Sequence, residues 1–226
     1  MFDGFYLYEW LLMALGIIFF FVLLYAFSVL LKQKKSLGPL LLFFALDIGM
    51  IAYPSLKSVE ISGDKVTLEK KEQEVAQHPE DLQARKELQQ TVQKLQSRPI
   101  SDPTTLGALS KAQFVLGDEQ AASITAAKAL QKDPQQPTAK EVQTKVEGLK
   151  QIELLTAKVK SNPTDQAAKE QLNQTVNTVS RQPLVSPTVM LKVANAQTAL
   201  GNHEQAEKNL ILVRKINPQL LNQAHP

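Results

Sequence analysis

Hydrophobic residues are spread very unevenly along the chain. Residues 10–31 read WLLMALGIIFFFVLLYAFSVLL, 22 positions without a charge. A helix of that length covers about 33 Å, enough to cross a bilayer core. The preceding MFDGFYLYE carries Asp3 and Glu9 and no basic residue, and the apolar run is too long for a secretory signal. Tyr6, Tyr8 and Trp10 suit an interfacial aromatic belt. A second run, residues 37–53, starts after a potential cap at Ser36, has Pro39 in its first turn, and meets Pro54 as an end or kink. Its 17 residues reach about 25 Å, the short limit for a span. The pattern predicts a transmembrane hairpin within 1–56, with spans at 10–31 and 37–53, and then a linker over 57–64. Within 58–67 a small β-hairpin around Gly63-Asp64 competes with Ser62 or Asp64 capping the first soluble helix.

From residue 57 onward the composition turns to Gln, Lys, Glu and Ala, and a duplication governs the pattern. Shifting 78–134 by 84 positions onto 162–218 aligns them without a gap, with 16 of 57 residues identical. Pro79 meets Pro163, Leu88 meets Leu172, Pro103 meets Pro187, Leu116-Gly117 meets Leu200-Gly201, and Pro134 meets Pro218. Breakers in register point to one folding unit used twice, read as copy one over 65–148 and copy two over 149–226. Pro79-Glu-Asp and Pro163-Thr-Asp are expected to open helices, since proline and acids suit the first turn. Leu82, Leu88, Val92 and Leu95 recur at helical spacing, as do Ala168, Leu172, Val176 and Val179. Further helices are expected from Pro103 and Pro187, turned at Gly117-Asp118 and Gly201-Asn202, with a connecting helix over 137–161 in which Gly148 is a candidate bend. The predicted class is all-α.

Two stretches, 104–134 and 188–218, resemble tetratricopeptide (TPR) repeats. The matching residues are Gly117, Ala122, Ala129 and Pro134 in the first, with Gly201, Ala206, Val213 and Pro218 in the second. Leu106 and Met190 stand at early positions that are usually aromatic, and Gln113 and Gln197 replace the usual Tyr. The resemblance implies an α-solenoid of stacked helix pairs whose concave side binds peptides or proteins. By the same resemblance the groove would include Thr104, Gly107, Lys111 and Phe114, and in the second copy Thr188, Leu191, Asn195 and Thr198. Lys111, Lys192 and Asn195 would suit a backbone or terminal carboxylate. The layout is also similar to the membrane-anchored TPR subunit of bacterial cytochrome c maturation, although the long loop between that family's membrane helices is missing here.

Charge and chemistry narrow the function. The loop after the first run carries Lys32, Lys34 and Lys35, so the positive-inside rule puts it in the cytoplasm and both termini outside. A net charge of +3 is too mild to argue for nucleic acid. Cysteine is absent, and the three histidines, His78, His203 and His225, sit at turns or in the tail. No phosphate loop, nucleophile elbow or metal-spaced pair occurs, so neither enzyme activity nor a cofactor is expected. Asp47, deep in the second run, is the exception. A carboxylate at that depth implies a polar contact with a neighbouring helix or partner subunit, or else a proton or ion path, for which the runs offer no second ionisable group. The expected function is a two-pass scaffold of a bacterial inner membrane, its N-terminus and C-terminal domain periplasmic, that binds other proteins and assembles complexes. The alternative is a small accessory subunit of a respiratory or transport complex, bound through its hairpin.

Overall fold

A computed structural model describes residues 7–32, 38–181 and 183–223. Tyr6, Lys34, Lys35, Ser36 and His225 lie outside the described residues, as do the side chains of Tyr8 and Trp10. Among the described residues there are ten helices and no strand, so the all-α class holds. The chain divides into two compact units: Met1–Asp64 with Gln96–Ser101, and Lys65–Leu95 with Asp102–Pro226. The two sequence copies are not separate units. Apart from Gln96–Ser101 of the first copy, both belong to the second, and the boundary expected at 148/149 falls inside one uninterrupted helix, α6 (Pro137–Ser161).

In the first unit, α1 (Leu7–Lys32) packs on the apolar part of α2 (Gly38–Gln77) through edge-on aromatic contacts. Phe44 meets Phe20 at 6.0 Å and Phe27 at 6.3 Å between ring centroids, and Phe43 meets Phe19 at 6.4 Å. The remaining surface is apolar and open: Leu15, Ile18, Phe21 and Tyr25 on α1, and Leu41, Leu42 and Leu46 on α2, are all exposed. Within α1, Leu11–Lys32 has a mean hydropathy of 2.7 and is only 11% buried, so it is long and apolar enough to span a membrane and is unlike the core helix of a soluble protein. It is the one such helix among the described residues, where two were expected.

The helix also continues where the sequence suggested a stop. α2 passes through Pro54 and on to Gln77, so the expected linker at 57–64 and the rival hairpin at 58–67 are both helical. Proline removes one backbone hydrogen bond and crowds the preceding turn, yet membrane-type helices tolerate it when the surrounding bonds persist. Ser62 and Asp64 are therefore interior helix residues and cap nothing. Asp64 pairs instead with Arg98 at 3.4 Å, tying the 96–101 segment to α2 within the first unit.

The second unit begins with the end of α2 and continues through α3 (Leu82–Gln96), α4 (Pro103–Leu116), α5 (Glu119–Lys132), α6, α7 (Gln166–Val179), α8 (Pro187–Ala199), α9 (His203–Ile216) and the short α10 (Gln219–Gln223). The starts of α3, α4 and α5 recur 84 residues later as the starts of α7, α8 and α9. Local chemistry explains each start. Asp81 and Asp165 are N-caps, accepting from the backbone N–H of Ala84 and Ala168, while Pro79 and Pro163 lie in the turns before rather than in the first helical turn. Asp102, Gln136 and Ser186 cap α4, α6 and α8, each with proline directly after. Gly117 and Gly201 end α4 and α8 with φ of 98° and 83°, the left-handed turn that favours glycine.

Packing follows chain order. α4 lies against α5 and α6, α6 against α5, α7 and α8, and α8 against α9. Small residues let the helices approach, with Ala112, Ala122, Ala126, Ala129, Ala139, Ala194 and Ala196 fully buried, and larger ones such as Leu149, Ile152 and Met190 fill the space between them. Leu88, Val92, Leu95, Leu172 and Val176 form the expected apolar stripes, whereas Leu82, first in its helix, is exposed. Gly107 is buried too, because the Gln136 amide occupies its Cβ position: a Cβ there would stand 2.5 Å from Nε2. Gly107 thus belongs to the α4–α6 contact and not to a groove.

Two consequences are measurable. Asp102→Ala removes the α4 cap and lowers stability by about 1 kcal/mol in chemical denaturation at pH 7. Burial raises the Asp102 pKa, but hydrogen bonds from the Thr104 and Thr105 hydroxyls and the Thr105 N–H outweigh it and hold the carboxyl below its ordinary value. Its contribution is therefore complete above about pH 4 and fades as pH falls through the depressed folded value, so the gap from wild type closes on acidification. Gly107→Ala displaces Gln136 from the α6 cap and costs about 1–3 kcal/mol in the same assay.

Candidate functional site

Where the second unit turns from α7 into α8, residues 183–186 run without regular secondary structure beside α4 and α6 and leave an apolar cleft of about 140 Å³. Its floor is Phe114, Val115, Val142, Val179 and Val189, with Leu184 at the loop side. Two ion pairs rim it. Lys111 Nζ of α4 sits 2.9 Å from Glu72 Oε1 of α2, and Lys145 Nζ sits 2.7 Å from Glu141 Oε1 one turn away on α6. Lys145 also lies over the Phe114 ring, 5.9 Å from its centroid. Beyond the Lys111–Glu72 pair a more open, polar groove of about 470 Å³ continues between Lys65, Glu69, Gln73, Thr104 and Gln136, sharing Glu72, Ala76 and Lys111 with the cleft.

The cleft wall is held from behind by Arg85, a residue that sequence reasoning missed. Arg85 is 7% exposed and donates from Nε to the Pro79 carbonyl at 2.7 Å, from Nη1 to the Val115 carbonyl at 3.4 Å, and from Nη2 to the Val185 carbonyl. Val115 and Val185 both line the cleft, so one guanidinium joins the end of α4 to the 183–186 segment. Burial lowers its pKa to about 10, which leaves it cationic at neutral pH, and its position at the C-terminal end of α4 is favourable for a cation. The signal was legible: Arg85 lies three residues before Leu88, on the buried stripe of α3, where a guanidinium needs acceptors.

The sequence-predicted groove residues separate into two groups. Lys111 and Phe114 line the cleft, Lys111 at its edge and Phe114 in its floor. Leu191, Lys192 and Asn195 do not. Lys192 Nζ is held 2.7 Å from Glu119 Oε2 and 2.9 Å from Glu153 Oε1, joining α8 to α5 and α6. Burial pulls the Lys192 pKa down, but the two carboxylates more than compensate and raise it. The carboxylate-receiving role expected for Lys192 is thus already filled by the chain's own acids, whereas Lys111 is the more exposed member of its pair with Glu72. Thr188 is likewise engaged, bonding with Ser186 at 2.8 Å beside Gly117. In the first unit Asp47 is fully buried and neither carboxylate oxygen has a hydrogen-bond partner among the described residues. Of the contacts expected for Asp47, a hydrogen bond to the neighbouring helix is not made among the described residues.

Comparison with protein-family models, with curated proteins and with solved structures finds no match. The site has to be read from its own geometry: an apolar pocket with paired charges at its edge, no cluster of metal-ligating residues among the described residues, and no nucleophile beside a base.

Arg85→Met leaves three carbonyls without their donor and is expected to lower stability by about 2–4 kcal/mol. Amide hydrogen exchange should rise most sharply in residues 183–186. Arg85→Lys should not restore protection, because an ammonium cannot span three divergent acceptors.

Proposed function

We propose that the chain is a membrane-anchored, extracytoplasmic TPR-like scaffold that holds other proteins for complex assembly, with the cleft beside Phe114 as its binding point. The observation that carries this reading is the cleft itself, an apolar pocket opening on the face shared by α4, α6 and α8. Three features support it. Helix starts and left-handed glycines repeat at an 84-residue interval, as tandem helix pairs of a solenoid require. The TPR positions Ala122, Ala129, Ala206 and Val213 are buried where paired helices approach. The apolar α1 serves as the anchor, and the lysines at 32, 34 and 35 favour a cytoplasmic loop, which leaves the second unit on the periplasmic side of a bacterial inner membrane in a two-pass topology.

A second reading draws on Asp47. A buried carboxylate lacking any donor is costly, and an accessory subunit of a larger membrane complex could retain one for a helix that inserts beside it. The two readings part on hairpin exchange.

Replacing residues 1–56 with an unrelated two-pass anchor is expected to leave partner binding intact. The readout is photo-cross-linking in native membranes from a reactive residue at position 76, against a control at position 131. A specific product from position 76 that survives the exchange supports the scaffold. Its loss on exchange transfers the function to the hairpin. In that assay Asp47→Leu is expected to leave the product unchanged while making the hairpin more resistant to heat.

A further inference from the structure

The cleft is specific in size and in charge. Its volume of about 140 Å³ is close to the roughly 150 Å³ of an apolar cavity that holds one benzene molecule. That is room for an isobutyl or phenyl group and far too little for a helix. The rim is asymmetric. On the α2–α4 side Lys111 is the outer member of its pair, its side chain 39% exposed against 13% for Glu72; on α6 the carboxylate is outer, Glu141 at 37% against 22% for Lys145. An ammonium therefore faces out on one flank of the pocket and a carboxylate on the other. The polar groove that shares Lys111 and Ala76 with the cleft gives a chain leaving the pocket a continuous path, which a free small molecule would not use.

We infer that the cleft receives one leucine- or phenylalanine-sized side chain of an extended protein segment that carries an acidic residue on the Lys111 flank and a basic residue on the Glu141 flank. This deepens the scaffold reading and rests on it for its biological meaning. Specificity comes from two separable terms. The apolar floor formed by Phe114, Val142 and Val179 selects for size, and the outer charges select the direction of the chain.

The test uses the full chain in lipid nanodiscs with labelled valine and leucine methyl groups. Blocked pentapeptides are titrated in: acetyl-Glu-Gly-Leu-Gly-Lys-amide, its charge-reversed form, a serine-flanked form, and versions with Phe or Ala at the centre. Methyl signals of Val142, Val179 and Leu184 should shift with Leu and Phe, and the Ala peptide should bind at least about tenfold more weakly. One charge order should bind about threefold or more tighter than the other at low salt, and the difference should vanish at high salt. Ala76→Phe, at the partly exposed mouth, should abolish the shifts without lowering the melting temperature. Lys111→Ala with Glu141→Ala should equalise the two charge orders while keeping the preference for Leu over Ala. Equal binding of Leu and Ala peptides, or toluene alone binding as tightly as the Leu peptide, would overturn the inference. If the peptides behave as stated but position 76 cross-links to nothing, the scaffold reading fails and the pocket chemistry stands; a cross-linked partner with undiscriminating peptides sinks only the pocket chemistry.

Discussion

Close approach of helix backbones is the constraint on which the second unit depends. Leucine, isoleucine and valine side chains such as Leu88, Leu149, Ile152 and Leu172 fill much of the core, and small residues let the helices come near enough for them to interdigitate. Ala112, Ala122, Ala126, Ala129 and Ala139 are fully buried, and Gly107 admits the Gln136 amide where any Cβ would collide. Each contact is thin, and the unit gains stability by repeating it along the chain, α4 on α6 and α6 on α8. Larger residues at these positions would force the pairs apart and open the core.

The cleft is a by-product of that packing and of one departure from it. The α7–α8 connection runs through 183–186 without regular secondary structure, and the space it leaves is bounded by Phe114, Val142 and Val179. Arg85 keeps this segment in place with donors to carbonyls on both sides of the opening. A buried cation served only by carbonyls is an expensive brace, acceptable here because the end of α4 already presents oriented acceptors. The equivalent position in the second copy is Lys169, which has no such duty, so the duplication has kept the scaffold and differentiated the site.

The hairpin poses the opposite problem. It exposes large apolar groups on its outside and encloses a carboxylate within, the inverse of a water-soluble pair. Aromatic edges of Phe19, Phe20 and Phe27 against Phe43 and Phe44 supply specificity between the two helices.

Local chemistry let the sequence alone determine the all-helical class, the apolar first helix and most helix ends. Caps such as Asp102 and Ser186, prolines at 103, 137 and 187, and left-handed glycines at 117 and 201 act within a few residues and need no partner from afar. Even the 137–161 helix was readable, because Pro137 opens it and its apolar positions keep the helical period. Tertiary structure decided the rest. Pro54 could not be read as a passage, since whether a helix survives a proline depends on the bonds and packing around it. Lys111 and Lys192 looked alike as groove cations; only the fold set Lys111 at the cleft edge and locked Lys192 between Glu119 and Glu153, residues 73 and 39 positions earlier in the chain. Side-chain partners at such separations are chosen by how helices stack, and that information resides in the whole packed unit.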